Sequence, residues 1–448
     1  MNIKITLQNS KFSFLLFFLF TSLIIYNSFS FFPILENDSF SYVNNESIRL
    51  SLYPLLIDFL NNDHKLIIPL QISYLSLSIT ALVYGLVKIR INLFLILIFY
   101  LLIVTNVYYT SFSKTILTES IYFASINFCI FFFLFKDSIK QRFHFLFLFG
   151  IVLGLIPSIR HEGLIISFLI SLIFLLKNKL SSLKLLFFFL GLSLMPILEN
   201  LVFYSKHKER NSVIDKSIFG KIFMLTAFDN ESKKNEYTDY IIIFSEKSKK
   251  VNFFLESLNN PFLKLNLFSD FQVVAQYQIK EKLNDKDKEV LKKFENKETK
   301  ILYFLIKENP IIFLRHTLYN YFSLWMPGGK QVFLNQTNNK IPFPDLLEKS
   351  QGSLNSQNNI IIFLGLIYFT FLFFGFVIFG FSFIYKFFKY PISRNELNSL
   401  LFLIPNIYLI FVSLVNVATP RYFMPIYPMV LLFIIIELNR IKSSRYDF

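Results

Sequence analysis

One cysteine occurs in 448 residues, Cys129, and it lies inside an apolar run. That excludes an internal disulfide, a Cys-rich zinc site and a Cys-x-x-Cys redox pair. Histidine is scarce as well: His64, His144, His161, His207 and His316 are scattered, and no His-Glu-x-x-His helix is present. Twelve glycines are few for a nucleotide cradle, and there is no Gly-x-x-x-x-Gly-Lys phosphate loop. Charged residues make up only 17% of the chain, against about 25% in an average soluble domain. A soluble globular enzyme is therefore excluded. An intrinsically disordered chain, which needs low hydrophobicity, is excluded too.

What is abundant is apolar. Hydrophobic residues are 54% of the chain, sixty of them phenylalanine, and the mean hydropathy is +0.50. They fall into blocks close to about 20 residues, the length that crosses ~30 Å of hydrocarbon at about 1.5 Å per residue. The blocks are 12–32, 66–87, 91–109, 119–135, 143–157, 163–176, 183–204, 360–385, 397–415 and 422–438. The first is longer than the roughly 7–15-residue core of a cleaved signal peptide and lacks an Ala-x-Ala ending, so a retained span is expected. The fifth and sixth are short enough to be tilted or re-entrant. These blocks predict an all-α polytopic membrane protein of about ten transmembrane helices. A small extracytoplasmic mixed domain, α/β or mostly helical, precedes the last three spans.

The chain accordingly divides into an N-terminal membrane domain (1–204, about seven spans, first outer loop 33–65), an extracytoplasmic domain (205–359) and C-terminal membrane helices with a tail (360–448). Within the middle domain, 300–326 looks apolar, but Lys307, Glu308, Pro310, Arg315 and His316 interrupt it, so helices lying on the membrane interface are expected there. The net charge of +15 raises the question of nucleic acid. Its distribution answers that. With a cytoplasmic N-terminus, every cytoplasmic turn is basic: Lys88 and Arg90, Lys136 to Arg142, Lys177 to Lys184, Lys386 to Arg394, and the tail Arg440, Lys442 and Arg445. The opposite connections are mixed or nearly uncharged. The charge is topological, both termini are expected in the cytoplasm, and no nucleic-acid partner is expected.

Ionisable residues at span ends collect on the outer side, where they are costly and therefore functional candidates. Glu36 and Asp38 follow the first span, Glu119 opens the fourth, Arg160, His161 and Glu162 follow the fifth, and Arg421 and Tyr422 precede the last. A carboxylate at the water boundary can take a proton from a hydroxyl nucleophile, while cations stabilise an anionic phosphate. Each residue also has a structural reading: Asp38 as a helix cap, Glu119 as a helix-dipole charge, Arg160, His161 and Glu162 as boundary residues, and Arg421 as an anchor.

The order of these pieces carries a resemblance. Asp38-Ser-x-x-Tyr42 is followed by Tyr53-Pro54-Leu55-Leu56, then Leu117-Thr118-Glu119-Ser120, Arg160-x-Glu162-Gly163, and late in the chain Arg421-Tyr422-x-x-Pro425-x-x-Pro428. This resembles the GT-C superfamily of integral-membrane glycosyltransferases, which includes protein O-mannosyltransferases and the aminoarabinose transferase of lipid A. Where many members carry an adjacent pair of acids, this chain has Asp38-Ser39. The resemblance implies inverting transfer of a sugar from a polyprenyl-phosphate carrier to an acceptor hydroxyl of a lipid, glycan or protein. Asp38 would be the general base, with Glu36 in reserve. Tyr42, His161 and Tyr422 would contact substrate, Arg160 and Arg421 would hold the carrier phosphate, and Glu119 and Glu162 would orient them. The lipid-linked sugar is the donor substrate; no cofactor is firmly implied, no metal ligand is assigned, and the need for a divalent metal stays open. A flippase for lipid-linked saccharides and another envelope ligase or polymerase are the alternative readings. Compact loops and composition point to a bacterial inner membrane with the active face outward, although an endoplasmic-reticulum membrane obeys the same physics.

Overall fold

The computed structural model describes residues 10–28, 34–35, 37–47, 49–135, 142–178, 180–208, 219–226, 236–257, 265, 284–294, 297–326, 359–389, 396–415 and 420–444. Regular structure among them is helical, with no strand. Of the two forms expected for 205–359, α/β or mostly helical, the described residues show the mostly helical one. The chain forms two compact units: 1–211 with 375–405 and 424–448, and 212–374 with 406–423.

The first unit opens with α1 (Ser10–Asn27), which covers most of the expected first span. Two short helices, α2 (Asn37–Val43) and α3 (Leu52–Phe59), occupy the first loop. Then follow α4 (His64–Lys88), α5 (Leu93–Val104), α6 (Val107–Thr110) with a 3₁₀ turn at Ser111–Lys114, α7 (Glu119–Leu134), α8 (Phe143–Ile159), α9 (Gly163–Lys177) and α10 (Ser182–His207). Each expected apolar block is helical over most of its described residues. Among the described residues, five helices are long and apolar enough to cross a membrane: His64–Lys88, Ser182–His207, Ile367–Tyr385, Leu397–Val415 and Met424–Ile441. Helices Phe12–Asn27, Glu119–Leu134, Phe143–Ile159 and Gly163–Leu176 are apolar but shorter.

The third block, expected as one span, is broken. Leu93–Val104 and Val107–Lys114 meet at 57°. Asn106 starts the second piece by accepting from the Tyr108 amide at 3.0 Å, which satisfies a donor that the break exposes. Helices α8 and α10 cross closely because glycines line the contact. A Cβ on Gly150, Gly154 or Gly191 would lie 2.4, 2.3 or 2.3 Å from a backbone carbonyl of the other helix. Small residues at this spacing let two backbones approach where lipid supplies no hydrophobic driving force. At the end of the unit, α18 (Tyr427–Ser444) ties back to α5: the Tyr427 hydroxyl donates to the Leu102 carbonyl at 2.8 Å, and Asn439 accepts from the Asn92 amide at 3.0 Å.

The second unit contains α11 (Phe219–Thr226), α12 (Thr238–Ser257), α13 (Asp285–Lys293), α14 (Glu298–Glu308) and α15 (Pro310–Leu324). The 300–326 stretch is two helices broken at Asn309, with Pro310 at the first position of α15, where its missing N–H costs nothing. Two further long helices, α16 (Asn359–Lys389) and α17 (Glu396–Val415), precede α18, and each is divided between the units. Phe223, Tyr240, Phe244, Ile301 and Leu305 are buried, and Ser248 donates to the Phe223 carbonyl at 2.6 Å.

Lys221 is buried with this core, 2% exposed. Among the described residues its Nζ has no hydrogen-bond partner, and it stands 5.8 Å from the Phe313 ring centroid. Burial lowers its pKa from 10.5 to about 7. Between those values the unfolded chain holds a proton that the folded chain lacks, so stability rises with pH across the window, by about 1.4 kcal/mol per pH unit. Below about 7 both states are protonated and the dependence fades. Lys221→Met is expected to raise the unfolding temperature at pH 7 and to remove this component of the slope between pH 7.5 and 10. Thermal unfolding of both proteins in the same detergent checks it, and parallel slopes would refute it.

Candidate active site

The first loop after α1 packs against the ends of several helices, and it does so through polar contacts. Asp38 stands in the first turn of α2, where the helix dipole favours a carboxylate. Its Oδ1 accepts from Arg49 at 2.8 Å. Arg49 is held on its other donors: Nε gives to the Ser41 hydroxyl at 2.7 Å, and the guanidinium carbon lies 4.6 Å from the Tyr42 ring centroid. A planar guanidinium suits this combination of fork and ring contact.

Tyr42 carries the network inward. Its hydroxyl meets the Thr118 hydroxyl at 3.3 Å, and Thr118 in turn donates to Glu119 at 3.4 Å. Burial pushes the Tyr42 phenol above its usual pKa, with the Arg49 charge opposing it, so Tyr42 stays a neutral donor and acceptor. Glu119, at the first turn of α7 and 1% exposed, pairs with Arg160 at 2.5 Å. Arg160 also approaches Glu162 at 3.5 Å, and its guanidinium lies 5.9 Å from the Tyr122 ring centroid. Between them, His161 is half-buried, and among the described residues its Nε2 has no hydrogen-bond partner. Burial lowers its pKa, Glu162 opposing and Arg160 reinforcing the shift, so the imidazole is held neutral at pH 7.

Five of the expected residues, Asp38, Tyr42, Glu119, Arg160 and Glu162, therefore join one connected network, drawn from three separate stretches of chain. Exposure assigns their parts. Asp38 keeps 28% of its side chain accessible and can accept a proton from a group outside the protein, whereas Glu119 at 1% is closed off. Glu36 lies outside the described residues. Arg421 and Tyr422 belong to the second unit, in a 3₁₀ turn (Pro420–Tyr422), with the Arg421 guanidinium 5.8 Å from the Tyr422 ring.

Three participants were not among the expected residues. Arg49 is one. Gln71 of α4 is another: buried, it accepts from the Tyr53 hydroxyl at 2.5 Å and donates to the Thr115 carbonyl at 2.8 Å, while the Tyr53 ring packs edge-on against Tyr42. The third is Glu199 of α10, whose two oxygens accept the amides of Ser51 and Leu52 at 2.7 and 2.8 Å. An ionisable residue within an apolar span was the available signal for Glu199. Among the described residues, no three His, Cys, Asp or Glu side chains gather as a metal site. Comparison of the chain with protein-family models, with curated proteins and with solved structures finds no match.

Proposed function

We propose that the chain is a membrane glycosyltransferase of the GT-C type, acting at the outer ends of its helices on a polyprenyl-phosphate sugar. The observation that carries this reading is the accessible Asp38 carboxylate on the same polar network as the cation Arg160. In the reaction, an acceptor hydroxyl gives its proton to Asp38 as its oxygen attacks the anomeric carbon. The bond from that carbon to the phosphate oxygen breaks with inversion, and the polyprenyl phosphate leaves with the electron pair. Arg160 is suited to the charge that develops on the phosphate, and Glu119 and Glu162 aim its guanidinium.

The broken third span favours a second reading, since unwound helices mark the sites of carriers. One experiment separates the two. Purified protein in detergent, with no second compartment, should move sugar from a lipid-linked donor to an acceptor and release polyprenyl phosphate. Movement of intact lipid-linked sugar across a liposome, with no transfer in detergent, would support the carrier.

We further propose ten spans in a bacterial inner membrane, with both termini cytoplasmic and 205–359 outside. The reading rests on the basic even-numbered turns. Reporter fusions after Lys140 and after Lys250 are expected to give cytoplasmic and extracytoplasmic signals respectively. Equal signals would overturn the topology and the sidedness of the site.

A further inference from the structure

The short helix α3 begins at a serine that should cap it, yet Ser51 makes no side-chain capping bond. The cap comes from elsewhere. Glu199, on α10 and 4% exposed, gives one carboxylate oxygen to each of the two amides at the helix start, Ser51 and Leu52. A carboxylate at a helix N-terminus is favoured both by the unsatisfied amides and by the dipole. Seven residues further along α10, Lys206 meets Asp58 at 2.9 Å, six residues beyond Leu52. At about 1.5 Å per residue these steps are about 10 and 9 Å, so α3 runs alongside α10 in the same direction, fastened at both ends. The Lys206 pair is exposed and contributes little. The Glu199 contact is buried and doubly hydrogen-bonded to backbone amides, and it sets the register.

The fastened point lies two residues after Arg49, which holds Asp38. We propose that Glu199 is a positioning residue: it fixes the Ser51–Leu52 turn on α10 and so places Arg49, and through it the Asp38 carboxylate, for catalysis. This rests on the transferase reading above. Among the described residues the Glu199 carboxylate accepts the Ser51 and Leu52 amides and has no hydrogen bond or ion pair with Asp38. Its effect passes through backbone, which makes it sensitive to the number of acceptor oxygens. A glutamine there has one acceptor, and its amide group would face an N–H donor.

The test uses the full chain in lipid nanodiscs and the variants Glu199→Gln and Glu199→Asp, the latter keeping the charge but shortening the reach. Hydrogen exchange is followed at Ser51 and Leu52 and over 37–47, alongside transfer kinetics with a polyprenyl-phosphate sugar. Glu199→Gln is expected to speed exchange at Ser51 and Leu52 by about tenfold or more and to speed it measurably over 37–47. It should lower kcat by about 10–100-fold, with donor KM within about threefold. Glu199→Asp should fall between it and the wild type, and it carries the test if the glutamine variant fails to insert. Unchanged exchange at Ser51 and Leu52 in an inserted variant overturns the contact. Faster exchange there, with 37–47 and kcat both unchanged, overturns the positioning role. Wild-type protein that transfers no sugar defeats the transferase reading instead, while the exchange at 51–52 and 37–47 still decides whether Glu199 holds the loop.

Discussion

Asp38→Asn is expected to lower sugar transfer by about 10²–10⁴-fold while the protein inserts normally and still binds the lipid-linked donor. The substitution keeps the size of the side chain and keeps an oxygen that can accept from Arg49, now at 2.8 Å from Oδ1. What it removes is the capacity to receive a proton. The ion pair it weakens is part-exposed, 21% and 28% at the two side chains, so its loss costs under about 1 kcal/mol. A rate defect of this size with an unchanged unfolding temperature therefore reports chemistry and not folding. The measurement is turnover in nanodiscs, with donor binding measured separately. Normal turnover by Asp38→Asn removes the base from Asp38. If Glu36→Gln is then inactive, the role moves to Glu36. If both variants turn over normally, the proton-transfer mechanism fails and the carrier reading gains.

The membrane helices were legible because hydrocarbon thickness imposes its own length on the sequence, and no partner is needed to read a block of apolar residues. The candidate site was partly legible for a related reason. Asp38, Glu119, Arg160 and Glu162 stand at the ends of such blocks, where the sequence pattern singles them out and the structure joins them in one network. Arg49 escaped because nothing in its own neighbourhood, eleven residues after Asp38 in a loop, announces that the chain turns back. Glu199 and Gln71 escaped for a different reason. Each sits on a long helix, and the groups they bind are distant in sequence, 148 and 44 residues away for Ser51 and Thr115. The Ser51 case shows the limit of local rules: the residue type that should cap α3 is present, and the cap is supplied by another helix. The break at Asn106 was masked by the apolar residues on both sides, which read as one continuous block. Over 205–359, charged and aromatic residues interleave without a clear period, so helix could not be told from strand there.

The largest effect on stability is expected at Arg160. Its partner Glu119 is 1% exposed, and the two meet at 2.5 Å. Breaking a buried pair by removing one member costs about 3–5 kcal/mol, because the other charge is left in a poor solvent. Arg160→Met should therefore lower the unfolding temperature sharply and reduce the yield of inserted protein. Removing both charges is different, since a well-packed neutral replacement of a buried pair is often close to neutral in stability. The double variant Glu119→Gln with Arg160→Met should recover most of the lost stability, although Glu162, 3.5 Å from Arg160 and 21% exposed, remains to be solvated. The two readings of Arg160 part at that variant. If the guanidinium only anchors α7 to the loop after α8, the double variant should transfer sugar at close to the wild-type rate once it is stable. If it holds the donor phosphate, the double variant should be as stable as that and still inactive, with donor affinity lost. Arg160→Lys sharpens the distinction: an ammonium keeps the charge opposite Glu119 but lacks the planar fork that matches phosphate oxygens, so stability should largely survive while donor binding falls. A stable double variant with full turnover would strike Arg160 from the site and leave the phosphate without its ligand in this unit.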